Sequence, residues 1–211
     1  MLTRDEIEDA LAISQPLLEV SEFKGKFIIH GTFVLNDDVC DEGPYDRFNI
    51  GILVDPDYPA VAPMVCEFED RLPADIDRHM FSNKNCCVGI FPAWKETNED
   101  ISIGAFVRGP VRDFFISQVC FEETETWPFG EYEHGAAGIA QACSEVFGKP
   151  LTSEEAKRYL VFASYQAPKG HITCPCGSGK VIRKCCGFAA WDSIRAKCSI
   201  ENAKKLLRHM A

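Results

Sequence analysis

No stretch of this chain is apolar over the ~20 residues that a membrane-spanning helix needs. The opening Met1-Leu-Thr-Arg-Asp-Glu6 also lacks the basic start and apolar run of a secretory leader. These two absences predict a cytoplasmic chain with no membrane partner. Basic charge is scarce as well: 22 Lys and Arg stand against 32 Asp and Glu, for a net charge of −10. No basic stripe interleaved with aromatics occurs, which argues against a nucleic-acid partner. No segment repeats, so solenoid and propeller arrays are excluded. The 211 residues, 46% apolar and 26% charged, suffice for one domain of about 150 residues and an appendage.

The charge is unevenly distributed. From Lys169 onward nine Lys and Arg face two Asp and Glu, a net of +7, which leaves 13 basic and 30 acidic residues before it, a net of −17. Two modules are therefore expected, residues 1–166 and 171–211, joined by Ala167-Pro-Lys-Gly170. The basic tail can dock on an acidic surface or on nucleic acid, or simply pair with the acidic body of its own chain.

Cysteine is abundant, with eleven residues. An odd number fits a reducing compartment better than a disulfide framework. Four of them fall in Cys174-Pro-Cys176-Gly-Ser-Gly-Lys-Val-Ile-Arg-Lys-Cys185-Cys186-Gly. A close pair, an eight-residue spacer and a second pair can wrap four thiolates around one tetrahedral ion, the arrangement of a structural zinc site. Gly177 and Gly179 supply the tight backbone, and Lys180, Arg183 and Lys184 offset the surplus negative charge of four thiolates. Neighbouring Cys185 and Cys186 are poorly placed to bond each other, which disfavours a pair of disulfides. The segment resembles the SEC-C motif, known from the C-terminus of the bacterial preprotein translocase ATPase. That resemblance covers about fifteen residues and implies bound zinc without implying a biochemical role. Cys40, Cys66, Cys120, Cys143 and Cys198 have no ligand spacing and read as core or incidental thiols.

Thr3-Arg-Asp-Glu6 is a capping box, and the apolar spacing after it predicts a helix from Arg4 toward Val20 unless Pro16 ends it early. Strands are expected over Phe23–Leu35, Phe48–Val54 and Pro63–Phe68, with turn-rich sequence around Asn36-Asp-Asp38 and Asp41-Glu-Gly-Pro44. Residues 70–100 read as long and irregular, the kind of loop that carries sites. Helices are expected over Ile101–Phe121 with a disturbance at Gly109-Pro110, over Ala136–Phe147, over Ser153–Phe162 behind the Thr152-Ser-Glu-Glu155 cap, and over Ala189–Met210. The acidic runs Glu96–Asp100 and Glu122–Glu125 read as solvated, and Trp94 and Trp127 as packing residues. The resulting order, helix, meander, long loop and crossover helix, defines an α+β class with an antiparallel sheet flanked by helices.

This order resembles the ubiquitin-conjugating enzyme fold and its RWD relatives on three features. Tyr58-Pro59 followed by Pro63 is similar to that family's Tyr-Pro and Pro-Pro signature. His79-Met-Phe-Ser-Asn-Lys-Asn-Cys86-Cys87-Val is similar to the segment running from the family's His-Pro-Asn to its active cysteine. Trp94 follows that cysteine as the family's tryptophan does. The resemblance covers residues 1 to about 150 and implies Cys87 as the acyl-accepting thiol, with Cys86 in its place if the register slips by one. Met80 and Phe81 replace the family's Pro and Asn, so Asn83 or Asn85 would have to supply the oxyanion donor, or His79 or His134 act as donor or base. Adjacent residues on an extended segment point opposite ways, so one of the two thiols is expected inward and one outward.

The resemblance implies a carrier that accepts the C-terminus of a ubiquitin-like modifier as a Cys87 thioester and passes it to an amine. It would depend on a ThiF-like activating enzyme, and proteins of this kind in prokaryotes commonly belong to anti-phage operons. The competing expectation is an RWD-like adaptor without chemistry that uses its zinc knuckle to bind proteins. A thiol redox role for Cys86 and Cys87 is disfavoured by the strain of a vicinal disulfide.

Overall fold

The computed structural model describes residues 1–36 and 44–210. They fall into two compact units, one formed by Met1–Gly89 with Asp100–Gly130, the other by Ile90–Glu99 with Glu131 onward. Cys40 and most of the turn-rich sequence around it lie outside the described residues.

In the first unit, helix α1 (Arg4–Leu11) starts at the expected capping box: the Thr3 hydroxyl accepts from Glu6 N–H, and the Glu6 carboxylate accepts from Thr3 N–H. It ends well before Val20. Pro16 has no N–H to continue a helix, and Leu18 instead pairs with Gly31 at the start of β1 (Leu18–Phe23). Strand β2 (Lys26–Asn36) returns through Lys24-Gly25, both at positive φ (53° and 73°), the geometry of a two-residue primed turn. Phe23 is thus a hairpin corner and not the start of one long strand. Strands β3 (Pro44–Val54), β4 (Met64–Glu67) and β5 (Asn85–Cys86) complete the sheet. Among the described residues its order is β1-β2-β3-β4-β5, antiparallel at every step.

Alternation decides which face is buried. Phe27, Ile29, Phe33 and Leu35 of β2 share one face with Phe48, Ile50, Ile52 and Val54 of β3, and Phe33 pairs with Phe48 and Ile29 with Ile52. Where β1 stops short of β2, the buried Gln15 side chain takes the place of a strand residue. Its amide donates to Val34 O and accepts from Val34 N–H, both at 2.9 Å. Helix α2 (Phe91–Thr97) belongs to the second unit. Helix α3 (Ile103–Phe106) passes through a π-turn at Val107–Val111 into α4 (Arg112–Thr124). Gly109-Pro110 sits in that turn; Pro110 brings no N–H, so the wider i to i+5 bonding is the cheapest way for the helix to continue. The Phe115 ring lies 4.5 Å from Phe48 and 5.6 Å from Phe33, which seats α4 on the apolar face of the sheet.

The second unit is helical. α5 (Ala136–Phe147) and α6 (Ser153–Ala163) lie within a residue of their expected bounds, and α6 starts at the Thr152 and Glu155 capping box. The single helix expected over 189–210 is two, α7 (Gly187–Lys197) and α8 (Ile200–Arg208). Cys198 is extended between them and the Ser199 hydroxyl caps α8 by accepting from Asn202 N–H. One apolar cluster joins Ile139, Ala142 and Phe147 of α5, Leu160 and Phe162 of α6, Ile194 of α7 and Leu206 of α8. The compact units therefore divide the chain elsewhere than at residues 166–171. Residues 131–166 bury their apolar faces against the tail and against Ala93 of α2, in one shared cluster. Among the described residues no helix is long and apolar enough to cross a membrane.

A fragment ending at residue 166 strips Ile182, Ile194, Cys198 and Leu206 from that cluster. Each deleted large apolar contact costs about 2–5 kcal/mol. The fragment is expected to aggregate or to lose part of its cooperative melt by circular dichroism, whereas the full chain stays monodisperse. A fragment as stable as the full chain would refute this packing account.

Candidate functional site

The loop expected to be irregular over 70–100 is ordered by local bonds from Asp75 to Cys87. A 3-10 turn, Ile76–Arg78, delivers His79 in the left-handed region (φ 53°). From there a short ladder runs: Phe81 N–H donates to Asn85 O, Met80 faces Cys86, and Cys87 N–H donates to His79 O at 2.8 Å. His79 and Cys87 therefore stand opposite each other across two antiparallel segments. Cys86, only 7% exposed, pairs with Val65 and shares the core side, and burial pushes its thiol pKa up. Cys87 points the other way and is exposed.

A polar network fixes this ladder from below. Gln118 of α4 has no exposed surface; its amide accepts from Arg78 Nε at 3.0 Å and donates to Arg78 O at 2.9 Å. The Arg78 guanidinium also lies over the Phe121 ring, and Glu122 is 3.7 Å away. Glu122 also pairs with Arg71 at 2.8 Å, and Arg71 grips Asp46 with two bonds of 2.7 and 2.8 Å. The Arg71 hydrogen bonds hold the Asp46 carboxyl below its ordinary range. Glu122 is exposed, as the solvated reading of 122–125 expects, and also anchors the two arginines. Trp127 is a packing residue as expected, stacked on Phe121 at 4.5 Å with the His79 ring against its edge at 5.2 Å.

Two further candidates are tied into this loop. Asn83 Oδ1 accepts from Asn85 N–H, and Asn85 Oδ1 accepts from the Cys66 thiol at 3.0 Å. His134 lies in the second unit, exposed just ahead of α5, and Trp94 in the second unit stacks on Phe91. Glu96 departs from the solvated reading. Its Oε1 accepts from Ser199 N–H, Ser199 Oγ and Asn202 Nδ2 at 2.9, 2.6 and 2.6 Å, so one carboxylate of α2 closes the N-terminus of α8. Gln118 was not singled out by sequence; a polar residue amid Phe114, Phe115 and Val119 is the signal it gave.

The four tail cysteines converge as their spacing requires. All four sulfurs lie within 4.8 Å of one another, with separations of 3.6 Å for Cys174 and Cys186, 3.4 Å for Cys176 and Cys185, and 4.0 Å for Cys185 and Cys186. A tetrahedral ion with metal–sulfur bonds of about 2.3 Å needs sulfur–sulfur edges of about 3.8 Å. The donor set fits, and the cluster can hold a metal ion. Gly177 and Gly179 both take positive φ between the pairs, and Cys174 N–H donates to Lys180 O to close the loop. Gly187 leaves room for Ile182, whose side chain would meet an added Cβ at 2.4 Å. The Ser178 hydroxyl, 3.2 Å from Cys185 Sγ, pulls the Cys185 thiol down and, together with the Ser178 N–H, holds Cys176 at about 6. Burial pushes Cys174 up to about 12. Arg158 of α6 reaches Pro175 O at 3.4 Å and pins the knuckle to the helical unit. Of the other thiols, Cys143 and Cys198 are core residues, and Cys66 and Cys120 are half-buried.

Comparison with known protein families, with curated proteins and with solved structures finds no match to this chain.

Because the Asp46 pKa is depressed in the folded state, its contribution to stability is present above its ordinary range and lost as pH falls below it. Asp46→Asn is expected to lower the urea-unfolding free energy by about 1–2 kcal/mol at pH 7 and by almost nothing near pH 2. An equal loss at both pH values would exclude the Arg71 pairing as its cause.

Proposed function

We propose that the chain is a thioester carrier of the ubiquitin-conjugating type with a zinc-bound C-terminal knuckle. The observation that carries the carrier reading is the split between Cys86, turned into the core, and Cys87, exposed and pinned through its own N–H to His79 O. A thiol on a fixed loop above a buried polar clamp suits repeated acyl loading, because its backbone need not reorganise. Tyr58 supports the same fold reading: its hydroxyl reaches Ile101 O at 2.7 Å and Ser102 O at 3.0 Å, tying the proline-rich turn to the start of the crossover helix.

In this reading the Cys87 sulfur attacks the activated C-terminal carbonyl of a ubiquitin-like modifier held by a ThiF-like enzyme. The carbonyl–sulfur bond forms as the bond to the leaving group breaks. An amine then displaces Cys87 and releases the thiol. His79, opposite Cys87 in the ladder, is the residue that in this reading donates to, or takes a proton from, the reacting groups. The setting is a reducing cytoplasm, where four thiolates stay available for zinc.

Zinc is the metal that four thiolates in a closed tetrahedral site favour. Metal analysis of the full chain is expected to give about one zinc per molecule, lost with Cys176→Ser. An ordered tail without metal would exclude it. For Cys87, mixing the chain with its activating enzyme, modifier and ATP is expected to give an adduct that thiols cleave. Cys87→Ser should replace it with a thiol-resistant ester or nothing, and Cys86→Ser should leave it. An unloaded chain whose Cys87 is readily alkylated would favour the adaptor reading instead.

A further inference from the structure

Strand β1 stands at one end of the sheet order, and its outer edge is bare among the described residues. The Lys24-Gly25 turn fixes the bonding pattern. Phe23 pairs with Lys26 next to a two-residue turn, so Phe23, Ser21 and Glu19 spend their backbone groups on β2. Val20 and Glu22 consequently aim their N–H and C=O groups outward. Leu18 N–H is already taken by Gln15 O, which marks where the free edge begins.

Three independent features accompany that edge. A groove of about 370 Å3 runs between α1 and β1, floored by Leu11, Leu18 and Val20 and bordered by Glu8, Pro16 and Glu19. Large apolar side chains stand exposed at both ends of the strand, Ile13 (96%) and Leu17 (51%) before it and Phe23 (59%) after it. Glu8 and Glu19 border the groove, and Arg4, the cation that lines it, is bound to Glu8 at 2.6 Å, which leaves Glu19 and, further along the strand, Glu22 as the carboxylates of the edge. Native sheets normally blunt a free edge with charge or a cover. Here the charged side chains of the strand itself, Glu19 and Glu22, are both acidic, Lys24 of the turn lies over the Phe23 ring, and the groove beside the unpaired backbone is floored by aliphatic side chains.

We propose that the edge of β1 is a docking site for an extended segment of a partner protein in which aliphatic and basic residues alternate. The segment adds to the sheet as a new strand. Its backbone pairs with Val20 and Glu22, alternate aliphatic side chains fall over Leu11, Leu18 and Val20, and the intervening lysines or arginines lie on the face of Glu19. The site is distinct from Cys87 and does not depend on the carrier reading.

The probe is a fluorescein-labelled peptide of sequence Lys-Val-Lys-Ile-Lys-Val-Lys, titrated with the full chain and followed by anisotropy. Saturable binding is expected, with amide-exchange protection appearing at Val20 and Glu22. The same peptide N-methylated at alternate residues keeps its side chains but cannot pair its backbone, and it should not bind. Glu19→Lys with Glu22→Lys, both at exposed positions, should weaken the unmodified peptide roughly tenfold or more while leaving the melt unchanged. Equal binding of the N-methylated peptide, or of Glu-Val-Glu-Ile-Glu-Val-Glu, overturns the proposal. So does an absence of binding up to about 1 mM peptide. A dimer in sedimentation that the double charge reversal dissociates overturns it too, since a second copy would then fill the edge.

Discussion

The contact of Phe115 with Phe48 and Phe33 sets the register on which the first unit depends. A slip of one residue between β2 and β3 would bring Thr32 or Asn49 under the Phe115 ring and turn the aromatic pair to the outside. With the register fixed there, it passes outward through Ile52 and Val65 to Val65 and Cys86. Cys86 inherits the core side from that chain of pairs, and Cys87, the next residue, inherits the opposite one. The exposure of the candidate nucleophile is a consequence of aromatic packing three strands away.

The Cys87 ladder has a second source of order, which is electrostatic. Gln118 is buried on the apolar face of α4, where an unpaired amide would cost on the order of 1–3 kcal/mol. It meets that demand by clasping both the side chain and the carbonyl of Arg78, directly ahead of His79. Glu122 then links Arg78 to Arg71, and Arg71 to the Asp46 end of β3. A loop that must hold a left-handed His79 is thereby fastened to the helix and to the sheet through separate bonds.

The helical unit uses sulfur and carboxylate for a different purpose. Four thiols within 4.8 Å of one another repel as thiolates unless a cation lies between them, so the cluster is arranged as one that can hold a metal ion. Its backbone is prepared for this by Gly177, Gly179 and the Cys174 to Lys180 bond, and Gly187 lets Ile182 approach the buried Cys174. Arg158 and the shared apolar cluster attach the knuckle to α6, while Glu96 holds α8 by its N-terminus. The tail and residues 131–166 are parts of one folded body, though their charges and the Ala167–Gly170 sequence suggested a seam.

Local chemistry was readable from the sequence because it acts over a few residues. The two capping boxes, the disturbance at Gly109-Pro110, the helices over 136–147 and 153–162, and the convergence of Cys174, Cys176, Cys185 and Cys186 all follow from spacing and backbone preference alone. The opposed orientation of Cys86 and Cys87 was readable for the same reason, but not which thiol faces inward, since that is settled by pairing with β4. The hairpin at Lys24-Gly25 was obscured by apolar residues on both sides of it, and the break at Cys198 by the helix-forming residues around it. The polar bonds of Glu96, Glu122 and Gln118 could not be read because a charge or an amide shows no partner until the fold delivers one from 103, 51 or 40 residues away. Sequence by itself determined the helix caps, the helices over 136–147 and 153–162 and the four-cysteine spacing; tertiary structure decided where strands and helices break, register, burial and every long-range polar bond, because those depend on which distant groups share a face.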